Sequence, residues 1–319
     1  MIQFDWSEQI QNWAYKTWRE NQGAGVKIAM LDTGVDLTHP SLQWLDQPDH
    51  KINAAVPGFK PDQLSDFWNG DVLDRYRQRG HGTQCVSILS ATGEGENLLS
   101  GITPKAEIFI IKVNTVDHKF FLVKDFLKGL EAAARLKVDV VISSISFPVE
   151  DVQLENIPSA EVDRVFGLLE QSGAMFFASL PNVTPVASWK GLAKANFPNH
   201  WSKAVNVGAV SETIFKNKKA EIDAEPDIHF LASNANGTFC KINGAYVEEP
   251  ISSSYGVYLV AAVAVLYLSS LKKREKENYQ SRPLTEFLAG MGKLFKPLAG
   301  STDWEASLPV LFKTNAVAV

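Results

Sequence analysis

Five continuous apolar runs, at residues 26–31, 108–113, 139–145, 174–178 and 204–210, constrain the fold of this chain more than any other feature. Their apolar residues are consecutive rather than alternating. That is the mark of strands buried on both faces of a parallel sheet. Helix-period segments lie between several of them. Residues 120–136 place Phe126, Leu130, Ala133 and Leu136 on one stripe, and residues 162–171 place Val165, Phe166, Leu168 and Leu169 together before Gly173, a good helix stop. Strands alternating with helices predict a three-layer α/β/α fold around a mainly parallel central sheet.

The 319 residues are read as one domain spanning 1–319. A polar stretch without a clean period, 46–79, is expected to be an insertion or surface loop. Residues 271–319 are expected to form a C-terminal extension, with a strand-like run at 308–312, and residues 213–227 another exposed excursion. With 45% hydrophobic and 21% charged residues the composition is that of a globular protein.

Several function classes are disfavoured. A net charge of −5 offers no general attraction for nucleic acid. The basic cluster Lys272-Lys273-Arg274-Glu275-Lys276 is interrupted by a carboxylate and reads as a solvated helix end. The most apolar stretch, 255–268, is shorter than the roughly 20 residues that span a bilayer, so a buried helix and no membrane association are expected. Two cysteines, Cys85 and Cys240, provide no disulfide framework. The six histidines show no zinc spacing, and the acidic loop residues Asp36, Asp62, Asp66 and Asp71 read as solvated, so no metal and no cofactor are expected. A nucleotide-binding reading is weak, because Asp32-Thr33-Gly34 after the first strand supplies one glycine rather than a phosphate loop.

Three segments concentrate chemistry. The first apolar run ends in Leu31-Asp32-Thr33-Gly34, which puts a carboxylate at the carboxyl end of a strand, where sites gather in open α/β sheets. Gly80-His81-Gly82-Thr83 sets an imidazole between glycines at the start of a helix-compatible run, with room for a substrate to approach. Ser252-Ser253-Ser254 precedes a wholly apolar helix, whose N-terminal amides favour developing negative charge. Each segment taken singly also suits a turn, a loop or a helix cap.

Together their order, Asp then His then Ser, is that of subtilisin. From about Gly23 to Leu268 the sequence resembles the subtilases. Val26-Lys27-Ile28-Ala29-Met30-Leu31-Asp32-Thr33-Gly34-Val35-Asp36 is similar to the family's Asp motif, and Gly80-His81-Gly82-Thr83 to its His motif. Gly101-Ile102-Thr103-Pro104, the 139–146 segment and Val205-Asn206-Val207-Gly208 resemble later family landmarks in the right order.

The resemblance implies a serine endopeptidase acting on peptide or protein substrates. It implies Ser254 as nucleophile, His81 as base and Asp32 as the carboxylate that orients the imidazole, with Ser253 the alternative nucleophile. It also implies Asn182 as an oxyanion donor beside the Ser254 amide, and Ser144, Ile145 and Ser146 as a substrate-pairing edge. The usual Gly-Thr-Ser-Met-Ala-x-Pro-His becomes Ser252-Ser253-Ser254-Tyr255-Gly256-Val257-Tyr258-Leu259 here, and Asn182 follows Leu180-Pro181. The lost glycine keeps open a catalytically impaired, peptide-binding subtilase; transfer of the acyl group to an amine is a further alternative. The family's calcium loop is shortened to Gly93-Glu94-Gly95-Glu96-Asn97, and no calcium site is expected. The Asp motif lies too near the start of the sequence for a globular propeptide to precede it, and a cytoplasmic enzyme is the expectation.

Overall fold

The computed structural model describes residues 21–64, 72–73, 80–92, 101–115, 120–181, 192–210, 228–231, 236–250 and 252–274. Its centre is a seven-stranded, all-parallel sheet. In chain order the strands are β1 (Lys27–Asp32), β2 (Lys51–Asn53), β3 (Glu107–Lys112), β4 (Val140–Ser143), β6 (Met175–Ser179), β8 (Ala204–Val210) and β9 (Ile228–Leu231). The short β5 (Phe147–Pro148) pairs antiparallel with β7 (Asn196–Phe197) outside this sheet, and β10 (Asn236–Lys241) pairs antiparallel with β11 (Ala245–Pro250) as a hairpin. Spatial order across the large sheet is β2-β3-β1-β4-β6-β8-β9. β1 therefore lies between β3 and β4, with Asp32 at its carboxyl end, opposite Lys112.

Both faces of the sheet are buried, as the continuous apolar runs require. Ile28, Met30, Ile110, Ile142, Phe177 and Val205 face one core, shared with the helices His81–Ser90 and Ser253–Arg274. Ala29, Leu31, Ile111, Val141, Phe176 and Ala178 face the other, covered by the helices Val123–Arg135 and Ser159–Ser172. The second of these stops at Gly173, whose φ of 75° places it in the left-handed region that ends helices. The fold is three-layered α/β/α, as read from the sequence.

Boundaries differ from the sequence reading by one to three residues at most ends. Two larger differences have physical reasons. The stretch read as a loop over 46–79 contributes an edge strand, β2, too short and polar for periodicity to expose. The basic cluster does not begin in solvent: Lys272 Nζ donates to Asp139 Oδ2 at 2.6 Å and to the Gly25 carbonyl at 2.9 Å. A cation in a helix's last turns is favourably placed against the dipole, and here it also ties the helix to the start of the sheet. The excursion at 213–227, the shortened loop at 93–97 and the tail beyond 274 lie outside the described residues.

Candidate active site

Asp32 is fully buried where β1 ends. His81, the first residue of its helix, keeps 29% of its side chain exposed. His81 Nδ1–H donates to Asp32 Oδ1 at 2.8 Å, and the Thr33 amide donates to the same oxygen at 2.7 Å. Asp32 Oδ2 accepts the Ser144 hydroxyl at 2.8 Å and the Tyr258 hydroxyl at 3.0 Å. Four donors therefore surround a carboxylate that burial alone would penalise heavily.

The two segments can approach this closely because Gly82 has no side chain. A Cβ there would lie 2.2 Å from the Gly34 carbonyl oxygen and 3.3 Å from Asp32 Cβ. Instead the Gly82 amide donates to Thr33 Oγ1 at 2.9 Å, docking the helix start onto the turn after β1.

The charges of the pair sustain each other. Burial pushes the Asp32 carboxyl up, but the His81 charge, with hydrogen bonds from His81, Thr33 and Ser144, outweighs it and holds the group below its ordinary value. Burial pushes the His81 imidazole down, and the Asp32 charge overrides it, so the net movement is upward. Cys85, one turn along the helix and fully buried, sits with Sγ 3.8 Å from His81 Nδ1. The ligand atoms of Asp32, His81 and Cys85 lie within 4.8 Å of one another. The Asp32–His81 hydrogen bond already occupies Nδ1, however, and a buried helix cysteine is a packing residue unless a ligand points otherwise.

Ser254 stands in the first turn of the long helix Ser253–Arg274 and is half-buried, whereas Ser253 is 1% exposed. The Ser252 carbonyl accepts the Tyr255 and Gly256 amides at 3.1 and 2.9 Å, starting the helix. Among the described residues no hydrogen bond joins the Ser254 hydroxyl to His81.

Tyr255, the next residue, stacks on Phe239 of β10 with ring centroids 4.3 Å apart and lies 6.2 Å from the His81 ring. Its hydroxyl is 2.9 Å from Glu249 Oε2 and 3.0 Å from the Gln84 side-chain amide. One hydroxyl proton cannot serve two acceptors. Turning the Gln84 amide so that Nε2 donates to the tyrosine oxygen satisfies both groups, since Nε2 otherwise has no partner among the described residues.

The β10–β11 hairpin is fastened over this region from several sides. Asp36 Oδ2 accepts the Asn243 amide at 2.7 Å, His39 Nε2 contacts the Ala245 carbonyl at 3.0 Å, Ser41 Oγ lies 2.7 Å from Tyr246 Oη, and the Cys240 amide donates to Ser87 Oγ at 3.2 Å. Asp36, considered from the sequence as a solvated acidic residue, is buried and committed to Thr38 and Asn243.

The groove residues divide. Ser144 turns its hydroxyl onto Asp32 rather than into a groove, and its carbonyl accepts the Ser179 hydroxyl at 2.9 Å. The Ile145 amide is taken by Ser143 Oγ at 3.0 Å. Ser146 is half-buried, and its backbone makes no hydrogen bond among the described residues. Asn182 and the segment that carries it lie outside the described residues.

A sequence profile described as the Subtilase family matches residues 23–286. This chain belongs to the subtilase family. It is a subtilisin-like serine hydrolase, and serine protease activity is the property of its family. The subtilase is 26% identical over 254 residues to an intracellular serine protease of Paenibacillus polymyxa, covering 76% of this chain and 68% of that protein. It is 24% identical over 270 residues to the major intracellular serine protease of Bacillus subtilis (strain 168), covering 83% and 73%. Among solved structures, the epidermin leader peptide processing serine protease of Staphylococcus aureus superposes with a TM-score of 0.61 at 18% identity, covering 84% of this chain and 70% of that one, a likeness of fold. Among the described residues no helix is long and apolar enough to cross a membrane.

The role of Tyr258 escaped the sequence reading. In an apolar helix it reads as one more core position, and only its phenolic oxygen, paired with the preserved Asp motif, hints that it needs a buried acceptor.

Proposed function

We propose that this subtilase is a serine endopeptidase that cleaves extended peptide or protein segments through an acyl-enzyme, using Asp32, His81 and Ser254. The observation that carries the reading is the 2.8 Å bond from His81 Nδ1 to a fully buried Asp32 carboxylate, made by an imidazole still partly open to solvent. With Nδ1–H committed to Asp32, the neutral ring has its free lone pair on Nε2, the tautomer a general base requires. Ser254 is favoured over Ser253 by access: a nucleophile must meet a substrate carbonyl, and Ser253 is buried.

In this mechanism Ser254 Oγ bonds to the scissile carbonyl carbon as His81 Nε2 takes the hydroxyl proton. The oxyanion is met by the Ser254 amide at the helix start and by the Asn182 side chain. His81 then returns the proton to the leaving amine as the C–N bond breaks. Water, activated by the same imidazole, attacks the ester, and His81 gives the proton back to Ser254. Were an amine to attack instead, the product would be a new peptide bond. The substrate strand pairs along residues 144–146, and the open backbone of Ser146 supports that placement. The names of the two bacterial intracellular relatives, with the chain's low cysteine usage, support a cytoplasmic enzyme.

A fluorophosphonate probe should label the wild type and Ser253→Ala but not Ser254→Ala; labelling that survives Ser254→Ala refutes the assignment. A second reading, an impaired peptide-binding subtilase, is favoured by Ser252 in place of glycine and by the missing Ser254–His81 hydrogen bond. Turnover of a casein-like substrate that disappears in His81→Ala excludes it.

A further inference from the structure

Tyr258 stands where the family pattern quoted above has proline, and its side chain reaches the most buried charge of the site. The Tyr258 hydroxyl is 3.0 Å from Asp32 Oδ2, and both residues are 0% exposed. A buried phenol needs a partner, and a buried carboxylate needs donors on both oxygens. Asp32 Oδ1 has His81 and Thr33; Oδ2 has Ser144, from the end of β4, and Tyr258, from the helix that also bears Ser254. Tyr258 follows Ser254 by four residues, about one turn and roughly 6 Å along the axis. One rigid helix therefore touches the Asp32–His81 relay at its carboxylate end and offers the serine at the other.

We propose that Tyr258 is a positioning residue: its hydroxyl fixes the carboxylate plane so that Oδ1 faces His81, and it sets the register of the Ser254 helix against the Asp32–His81 pair. This rests on the peptidase reading above. Without the phenol, Asp32 can turn about its Cβ–Cγ bond with only Ser144 holding Oδ2. The helix then loses its polar latch to β1 at the very turn after Ser254. The burial and the Asp32 charge push the Tyr258 phenol well above its ordinary value, so it remains a donor throughout the working pH range.

The groups facing His81 are Asp32 from β1, Cys85 from its own helix and Tyr255 from the Ser254 helix, with Glu249 of β11 behind Tyr255. Freeing the carboxylate plane weakens the Oδ1 contact that favours the imidazolium, so His81 should titrate at lower pH in Tyr258→Phe. The experiment measures kcat and KM on a peptide substrate, the rate of fluorophosphonate labelling, and the His81 imidazole titration by NMR, in wild type and Tyr258→Phe. Expected are a fall of about tenfold in kcat and in labelling with KM unchanged, and a downward shift of the His81 midpoint. Unchanged labelling together with an unchanged His81 titration overturns the proposal.

Should Tyr258→Phe not fold, Ser144→Ala leaves Tyr258 as the remaining Oδ2 donor. Its labelling rate is expected to fall a few-fold, far short of Asp32→Ala, and a loss as deep as Asp32→Ala overturns the role given to Tyr258. The outcomes separate this proposal from the reading beneath it. A wild type that is never labelled, with a His81 titration that still moves in Tyr258→Phe, removes the nucleophile assignment and keeps the Tyr258–Asp32 coupling. A labelled wild type with no response to Tyr258→Phe does the reverse.

Discussion

Substituting Gly82 by alanine should separate the two halves of the site without replacing any of the side chains that carry its chemistry. The new Cβ would lie 2.2 Å from the Gly34 carbonyl oxygen and 3.2 Å from Thr33 Oγ1. Ordinary van der Waals contact begins near 3.4 Å, so the helix start or the turn must yield by about 1.2 Å. His81 is the adjacent residue, and its 2.8 Å bond to Asp32 has little slack before it ceases to be a hydrogen bond. A charge-assisted bond is worth about 1.5–3 kcal/mol, and reacting groups misplaced by about 1 Å can lose about 100-fold in rate. Labelling by a fluorophosphonate and kcat/KM on a peptide should therefore drop about 10- to 100-fold. Overpacking should lower stability by about 1–3 kcal/mol, read from denaturant unfolding. Folded Gly82→Ala protein that labels at the wild-type rate would refute the claim that backbone contact sets the Asp32–His81 distance.

Gly167 gives the opposite sign: a Cβ there meets nothing within 4 Å, so Gly167→Ala in the Ser159–Ser172 helix should stabilise the protein by about 0.5–1 kcal/mol and leave labelling unaltered. His81 must be neutral to act as a base, and its pKa is raised, so the acid limb of kcat/KM should have its midpoint above the ordinary imidazole value of about 6.5; a midpoint at or below that value contradicts the Asp32 field inferred here. Burial raises the Asp36 carboxyl, but donors from Thr38 and the Asn243 amide outweigh it, so its stabilising contribution is present above about pH 4 and is lost as acidification passes the lowered folded value. Asp36→Ala should accordingly cost about 1–3 kcal/mol at neutral pH and raise amide exchange across residues 236–250, whereas unchanged exchange would mean that the hairpin is held elsewhere.

What was legible in the sequence follows from how strongly each feature is written in local residues. β1, β3, β4, β6 and β8 announce themselves because strands buried on two faces must be apolar at every position. β2 does not, since a three-residue edge strand within a polar stretch has no room for a pattern. The β10–β11 hairpin was missed although Asn243-Gly244 is a turn signal, because Lys241, Glu248 and Glu249 interrupt any apolar alternation along its strands. Asp32 and His81 were named from flanking glycines and motif order, and the structure pairs them. The partners of Asp32 on its other oxygen could not be named, because proximity across 112 and 226 residues leaves no mark on local spacing.

The Ser254 helix is latched to β1 at both ends. Tyr258 holds Asp32 where the strand finishes, and about 20 Å away along the helix Lys272 holds Asp139, whose Oδ2 also accepts the Lys27 amide where the strand starts. An axial slide of the helix would have to break both latches together, in the middle of the larger core. Loss of the reactive geometry on heating should thus coincide with global melting: inactivation and unfolding share one transition temperature, with no earlier step at which a still-folded protein falls silent.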